Sequence, residues 1–504
     1  MGAGAGRTRE GRGKAWDEMT PLVAIAALLL SAAPPRHVTL VYAADLGGWL
    51  EPCGCSADQR GGLARAATAI ARIRKENPDT VFVAGGDLLF GGPIDPERKE
   101  QDLAAARTMA EVLRKMGLAA SWPGERDLLA GERFLAATGL PFTRSKRIGQ
   151  VGFGGLGSVP RAPVRVAVVH EGGSRAAVAR AGEARREGVD LVLAAHREGL
   201  LDDDASRAVL DAPVPVVQVQ GRGQALARVD FFLQGDRAQG FLVLPGPTQR
   251  AEEIDLLAER RVEYGRRRAA AEASGNAALA TALSGKLTEL AAREKELRAA
   301  PPPVPPADRP SMQVSFVPLG DDVPEDPAVR RILTRHYGAV ARANLAAARA
   351  GGRPCPDPAK DVPSVIGVDE VPPGGTRDCR NCHPAAFASW ERTPHATAYA
   401  TLEKGSRQFD LDCVACHVTG WKLPGGPCDV ATTAGRRNVQ CEACHGPASL
   451  HAVDPPGHIV RDPPTSVCTG CHSPEHSTGF EPASYRSRIV GPGHGGVGNP
   501  PTSP

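Results

Sequence analysis

Aromatic residues make up only 4% of this 504-residue chain, which is long enough for two or three domains. So few large rings leave part of the chain to find its apolar mass in something other than side chains. Charge of one sign is missing too: 60 basic against 57 acidic residues give a net +3. That balance carries no basic stripe and excludes nucleic acid as the obvious partner. The apolar run at 21–30 is too short to span a bilayer, so no transmembrane span is expected in the mature chain. Glycine and proline are plentiful, at 57 and 45 residues, as loops wrapped closely around a ligand require.

Cysteine is also plentiful, and it is patterned. The word Cys, two residues, Cys, His occurs four times, at Cys379, Cys382 and His383, at Cys413, Cys416 and His417, at Cys441, Cys444 and His445, and at Cys468, Cys471 and His472. The spacing lets one short turn present both thiols to the two vinyl groups along one porphyrin edge. The next residue then carries its imidazole under the macrocycle as proximal iron ligand. Structural zinc also accepts a two-residue gap, but it makes no demand on the residue that follows. Histidine follows every time, so the reading is four covalently bound c-type haems.

Nine of the thirteen histidines lie beyond residue 380. Four proximal ligands leave His395, His451, His458, His476 and His494. Four haems with two imidazoles each need eight histidines, so the distal candidates are His395, His451, His476 and His494, with His458 set aside beside its Pro-Gly turn. Filled sixth positions favour electron transfer, whereas an open one admits small-ligand chemistry.

Residues 7, 9, 12 and 14 are basic and precede the apolar run and Ser31-Ala32-Ala33, the grammar of a secretory signal over 1–35. A start at Met19 would remove the basic head. Covalent haem attachment happens outside the cytoplasmic membrane, so the expected location is a bacterial periplasm.

Apolar runs at 38–41, 81–84, 164–169, 191–194 and 214–219 alternate with amphipathic stretches at 63–75 and 103–116. This predicts an α/β domain over 36–248. A helical, proline-containing linker over 249–373 is expected next. In it Leu279, Leu283, Leu287, Leu290 and Leu297 form a narrow stripe suited to packing on a neighbour, and Ser274-Gly275-Asn276 breaks the stretch into a hairpin. Residues 374–504 show little periodicity, as expected of short helices and loops around haems.

Asp45, Asp87, His170 and His196 each follow an apolar strand, at the edge where open α/β sheets bind ligands. Two aspartates and two histidines suit a divalent metal such as Zn, Mn or Fe. Coincidence of polar strand ends is the alternative. Cys53-Gly54-Cys55 offers either a strained disulfide or soft ligands. With Cys355 and Cys428 these cysteines permit three pairings.

Two resemblances follow from these motifs. Residues 374–504 resemble the tetrahaem cytochromes c that take electrons from hydroxylamine oxidoreductase. The likeness is carried by Trp390 with Thr393-Pro394-His395, Cys416-His417-Val418-Thr419-Gly420, and 439–447 with His451. It implies mostly bis-histidine haems, one of which can lack a sixth ligand and react with small nitrogen compounds. Redox proteins or a quinol-linked membrane complex are the implied partners. The N-terminal part resembles metallophosphoesterases of the bacterial 5'-nucleotidase type through Asp45, Gly61-Gly62-Leu63-Ala64-Arg65, Gly86-Asp87, His170, Ala195-His196 and Val216-Val217-Gln218. This implies a layered sheet sandwich and a metal site at Asp45, Asp87, His170 and His196, to which Glu125 and Glu198 could add oxygen ligands. The family's histidine two residues after the first aspartate is Gly47 here. Its Gly-Asn-His-Glu motif is replaced by Gly124-Glu125-Arg126-Asp127, and Glu198 stands at the next ligand position. Loss of the imidazole that protonates a leaving group argues for a non-hydrolytic domain. A redox enzyme, or a phosphoesterase with attached haems, is the alternative.

Overall fold

The computed structural model describes residues 37–53, 59–143, 155–158, 164–170, 173–195, 206–219, 221–236, 240–351, 356, 362–368, 379–455, 457–473, 476–477 and 480–494. The signal segment, His196, Glu198, Cys55 and Cys355 lie outside them.

The N-terminal part is built on two sheets. The strands of the first are β1 (His37–Ala44), β2 (Thr80–Gly86), β3 (Leu118–Pro123), β9 (Ala225–Phe232), β10 (Leu242–Leu244) and β11 (Ser311–Pro318), in the order β10-β11-β9-β1-β2-β3. The second holds β4 (Gly155–Ser158), β5 (Arg165–Val169), β6 (Leu191–Ala194), β7 (Arg207–Val209) and β8 (Val216–Gln218), in the order β4-β5-β6-β8-β7. β1, β2 and β3 run parallel, as do β5, β6 and β8. The architecture is thus α/β with mixed sheets.

Alternation along β1 explains why the sheets stack. Val38, Leu40 and Tyr42 point to one face and pack with Val83, Trp122, Val166, Val168, Leu193 and Phe231 between the sheets. Val41 and Ala43 point the other way, onto helices α1 (Leu63–Glu76) and α2 (Lys99–Lys115). The outer face of the second sheet is covered by α4 (Gly173–Arg186) through Ala177, Ala181 and Ala184, α3 being the short Glu132–Ala137 helix. Helix, sheet, sheet and helix form four layers. Thr39 is the buried polar exception in β1, satisfied by Asp230 Oδ1 at 2.6 Å and by the Asn77 amide at 2.9 Å.

The segment 249–373 does more than connect. Helices α5 (Pro247–Ala273) and α6 (Ala277–Ala299) form the expected hairpin, with Asn276 capping α6 by accepting from Leu279 N at 3.1 Å. Leu283 of the leucine stripe is buried, whereas Leu279 is exposed. β11 then enters the first sheet between β9 and β10, paired with β9 over its whole length. Helix α7 (Pro327–Arg349) follows, capped by Asp326, which accepts from Ala328 N and Val329 N. Its Val329, Ile332, Leu333 and Tyr337 join the core that α1 and α2 share. The alternating pattern of β11 was hidden because its partner faces are settled by strand pairing almost a hundred residues away. Beyond 379 the chain forms short helices and loops, and no described helix is long and apolar enough to cross a membrane.

Candidate functional site

Each cysteine word lies in or at the edge of a short helix: Cys379–Cys382, Leu411–His417, Cys441–His445 and Thr465–Thr469. One helical turn sets the two thiols of a word on one side. The words come together in pairs. Cys379 and Cys441 share a thiol hydrogen bond, as do Cys416 and Cys471, and Cys444 lies within electrostatic reach of Cys468. Hydrogen bonding to the partner thiol and then burial push Cys441 and Cys416 well above the usual thiol range.

The histidines pair as well. The rings of His383 and His451 lie 6.2 Å apart and 17° from parallel. Those of His395 and His472 also lie 6.2 Å apart, inclined at 45°. Two imidazole–metal bonds of ~2 Å each, with half a ring at either end, fill about that separation. Burial lowers His417, with a further push from nearby His476. Burial and then the neighbouring His445 likewise lower His494. Two motif histidines, His383 and His472, thus each have an expected distal candidate as a ring neighbour. His458 stands apart beside Asp454 at 3.7 Å.

Hydrogen bonds select the nitrogen that each ring leaves available. Nδ1 of His417 faces Ala398 O at 2.6 Å, that of His445 faces Val460 O at 2.7 Å, and that of His451 faces Gly457 O at 3.2 Å. His472 Nδ1 pairs with Ser477 Oγ at 2.8 Å, and the Phe480 ring stacks on His472 at 4.3 Å. A ring tied at Nδ1 leaves Nε2 available, the donor chemistry an axial haem ligand needs.

The residues that carry the tetrahaem resemblance hold this frame. Trp390 Nε1 donates to Val439 O at 2.8 Å, and Val439 N donates to His395 O at 3.1 Å. The buried Glu442 carboxylate accepts from Ile366 N, Gly367 N and Ala448 N, and Gln440 Oε1 accepts from Val368 N. Residues 364–368 are thereby stitched to the third word. Cys428 is buried and disulfide-bonded.

In the α/β part, Asp45 and Asp87 do come together at the parallel strand ends. Asp45 Oδ1 accepts from Asp87 N at 3.1 Å. The approach requires glycine at 86 and 124, where a Cβ would stand 2.0 Å from the carboxylate of Asp45 and of Asp87, respectively. Arg126 takes the neighbouring space: its backbone N donates to Asp87 Oδ1 at 2.8 Å, and its Nε is 3.6 Å from Asp87 Oδ2. Glu125 lies within electrostatic reach of His170, whose value burial lowers to about 4. Neither ring nitrogen of His170 has a hydrogen-bond partner among the described residues. Asp127 turns inward to accept from Leu88 N and Leu89 N, and burial raises it to about 7. Among the described residues no three His, Cys, Asp or Glu side chains gather as a metal site.

Sequence reasoning missed the contacts between the two parts. Gln101 of α2 donates to Asp410 Oδ1 at 2.6 Å and accepts from Leu411 N at 3.1 Å and Asn344 Nδ2 at 3.0 Å. Asp410 is the N-cap of the helix bearing Cys413 and Cys416, and burial raises it to about 6. Arg98 pairs with Asp412, and Glu97 with Lys422. Trp49 meets His476 edge-on at 5.3 Å. No spacing rule flags a lone tryptophan or glutamine, since their partners lie hundreds of residues away.

Residues 378–446 match the family model of cytochrome c554 and c-prime, a span that takes in the first three words. Cytochrome c-554 of Nitrosomonas europaea is 34% identical over 93 residues, which are 16% of this chain and 40% of that protein. The chain thus spans well under two-thirds of that relative's length. The N-terminal part is similar to a solved calcineurin-like phosphoesterase from Bacillus subtilis, at 17% identity and a TM-score of 0.26, covering 39% of this chain and 85% of that one. It is also similar to a 5'-nucleotidase from Staphylococcus aureus, at 14% identity and a TM-score of 0.29, covering 40% and 52%. Residues 378–446 are thus similar to a c-type cytochrome, a family whose haem is covalently bound.

Proposed function

We propose that this chain is an exported tetrahaem c-type cytochrome that carries electrons in a bacterial periplasm, joined to an α/β domain that does not hydrolyse phosphoesters. The observation that supports the reading is the approach of His383 to His451 and of His472 to His395, each at 6.2 Å between ring centres. His383 would share an iron with His451, His472 with His395, His417 with His476 and His445 with His494. Bound haem supplies a one-electron couple, and two imidazoles per iron keep substrates off the metal. The protein's own groups do the rest. Carbonyls on Nδ1 orient His417, His445 and His451, and the Ser477 hydroxyl orients His472. Such bonds raise ligand basicity and hold the ring in place. Redox proteins or a quinol-linked membrane complex are the proposed partners.

For the α/β domain, Arg126 supports the non-hydrolytic reading. Its guanidinium sets a permanent positive charge beside Asp87, where hydrolysis would call for a metal ion. Haem stoichiometry with an optical redox titration of the purified protein tests the main claim. Four covalent haems, low-spin in both oxidation states and silent to carbon monoxide, are expected. Fewer than four haems would overturn it, and an intrinsically open iron would point instead to an enzyme acting on a small nitrogen compound.

A further inference from the structure

The four words differ in the residue that follows their first cysteine: Arg380, Val414, Glu442 and Thr469. Only the third word places an anion there, and that anion is buried, at 5% exposure. Backbone donors reach its carboxylate from two directions. Ala448 N, just past the word's own histidine, donates to Oε1 at 2.7 Å. Ile366 N donates to both oxygens, at 3.0 and 3.1 Å, and Gly367 N donates to Oε2 at 2.7 Å.

The donors at 366 and 367 belong to a strap, 364–368, which the chain lays along the cytochrome segment after α7. The strap is fixed on both sides of Glu442. Ser364 N donates to Ser449 Oγ at 2.8 Å, Val365 N to Pro424 O at 2.8 Å and Val368 N to Gln440 Oε1 at 2.9 Å. Gly367 has a positive φ of 68°, and a Cβ there would stand 2.5 Å from Gly435 O, so only glycine lets the strap turn its N–H inward. Arg436, the cation beside the strap, donates to the carbonyls of Gly425, Gly435 and Val365 at 3.1, 3.1 and 3.3 Å. Among the described residues no lysine or arginine pairs with Glu442, whose partners are these backbone N–H groups. Charge-assisted N–H bonds of this kind replace water around a buried carboxylate.

Resting on the tetrahaem reading above, we propose that the Glu442 carboxylate, held by the strap, sets the reduction potential of the haem attached at Cys441 and Cys444 and makes it the last of the four to be reduced. The reason is the sign of the charge. Reduction adds an electron at the iron, and a fixed anion in a site shielded from water opposes that addition. Backbone dipoles offset part of its field but carry no net charge. Val414, Thr469 and Arg380 bring no anion to the matching positions of the other words. Cys441 shares a hydrogen bond with Cys379, so an electron released by the third haem would pass downhill to its neighbour at the first word. The segment that follows α7 thereby acts on the redox chain as well as connecting it.

The test uses the full-length holoprotein, with covalent haem counted before each redox titration. In an NMR-monitored titration of the unmodified protein, the haem whose methyl signals lie next to Ala443 is expected to be reduced last. Glu442→Gln keeps the shape and removes the charge. It is expected to shift that haem alone toward ferrous iron by about tenfold, or about 59 mV for one electron. Glu442→Asp keeps the charge and is expected to stay within about threefold of the unmodified protein, or roughly half that shift in mV. A last-reduced haem attached at another word would overturn the assignment, and so would a Glu442→Gln titration that overlays the unmodified one. Equal shifts in the two variants would also overturn it, because Glu442 would then act only by holding the strap. Where Glu442→Gln yields no holoprotein, the order of reduction in the unmodified protein decides. Fewer than four covalent haems in the unmodified protein would instead strike the tetrahaem reading.

Discussion

His451 and His395 each face a motif histidine at 6.2 Å, so in the proposed tetrahaem arrangement each would supply one coordination site. Replacing either by alanine is expected to convert a single haem to a carbon monoxide-binding form and to leave the other three unchanged. A spectrum with no new ligand band, or with several haems altered at once, would contradict the pairing. Asp410 illustrates a residue whose role is mechanical. It caps a haem-bearing helix, accepting from Asp412 N at 2.9 Å, and meets Gln101 at 2.6 Å. Asp410→Ala should cost about 1 kcal/mol for the lost cap. It also leaves the Gln101 amide with only a 3.5 Å contact to Asp412 Oδ2, which adds roughly 1–3 kcal/mol. Urea unfolding of the holoprotein measures the sum, and a loss below about 0.5 kcal/mol would be inconsistent with both roles. Arg126 has the opposite character, because it fills space. Arg126→Ala should raise retention of Mn or Zn by the domain, read by metal analysis after gel filtration. Unchanged metal content would remove Arg126 as the reason for a closed site.

Among the elements, α7 binds the helical layer together, and its pH response has a definite sign. His336 is buried against Thr108 Oγ1 at 3.0 Å, and burial lowers it to about 4. Its folded value lies below the unfolded one near 6.5, so the unfolded chain binds more protons between those limits. The stability it confers is whole above pH ~6.5 and is lost as pH falls toward ~4, at up to about 1.4 kcal/mol per pH unit. Thermal melts of the wild type and His336→Gln across that window should converge as the solution is acidified. Parallel curves would show that His336 does not titrate on unfolding. β11 is the other decisive element. A fragment ending at residue 248 would expose the edge of β9 along its full length, and open edges of that kind aggregate. We expect that fragment to be insoluble and one extended through α7 to be monomeric, as gel filtration would report. A soluble, cooperatively folded shorter fragment would place the domain boundary at 248 after all.

At the scale of the whole molecule, the two parts are bound through Gln101, Arg98, Glu97 and Trp49 on one side and residues 410–422 and His476 on the other. The contacts tie the α/β part to the helix that carries Cys413 and Cys416, so damage to them is expected to lower stability.

Covalent attachment is written locally. The spacing of thiols and imidazole in Cys413, Cys416 and His417 suffices to present them to one porphyrin edge, so the expectation of covalent haem follows from residue order alone. So were strands such as Leu191–Ala194, whose unbroken apolar run needs no partner to be recognised. Pairing was not legible. Which distal histidine meets which motif, the entry of Ser311–Pro318 into a sheet begun at residue 37, the inward turn of Asp127 and the seat of Trp49 on His476 all depend on residues brought together across long stretches of chain. Sequence order determined what chemistry each residue can perform, because that is a property of a few adjacent side chains. Tertiary structure alone decided which of them meet, because packing and hydrogen bonding act through space.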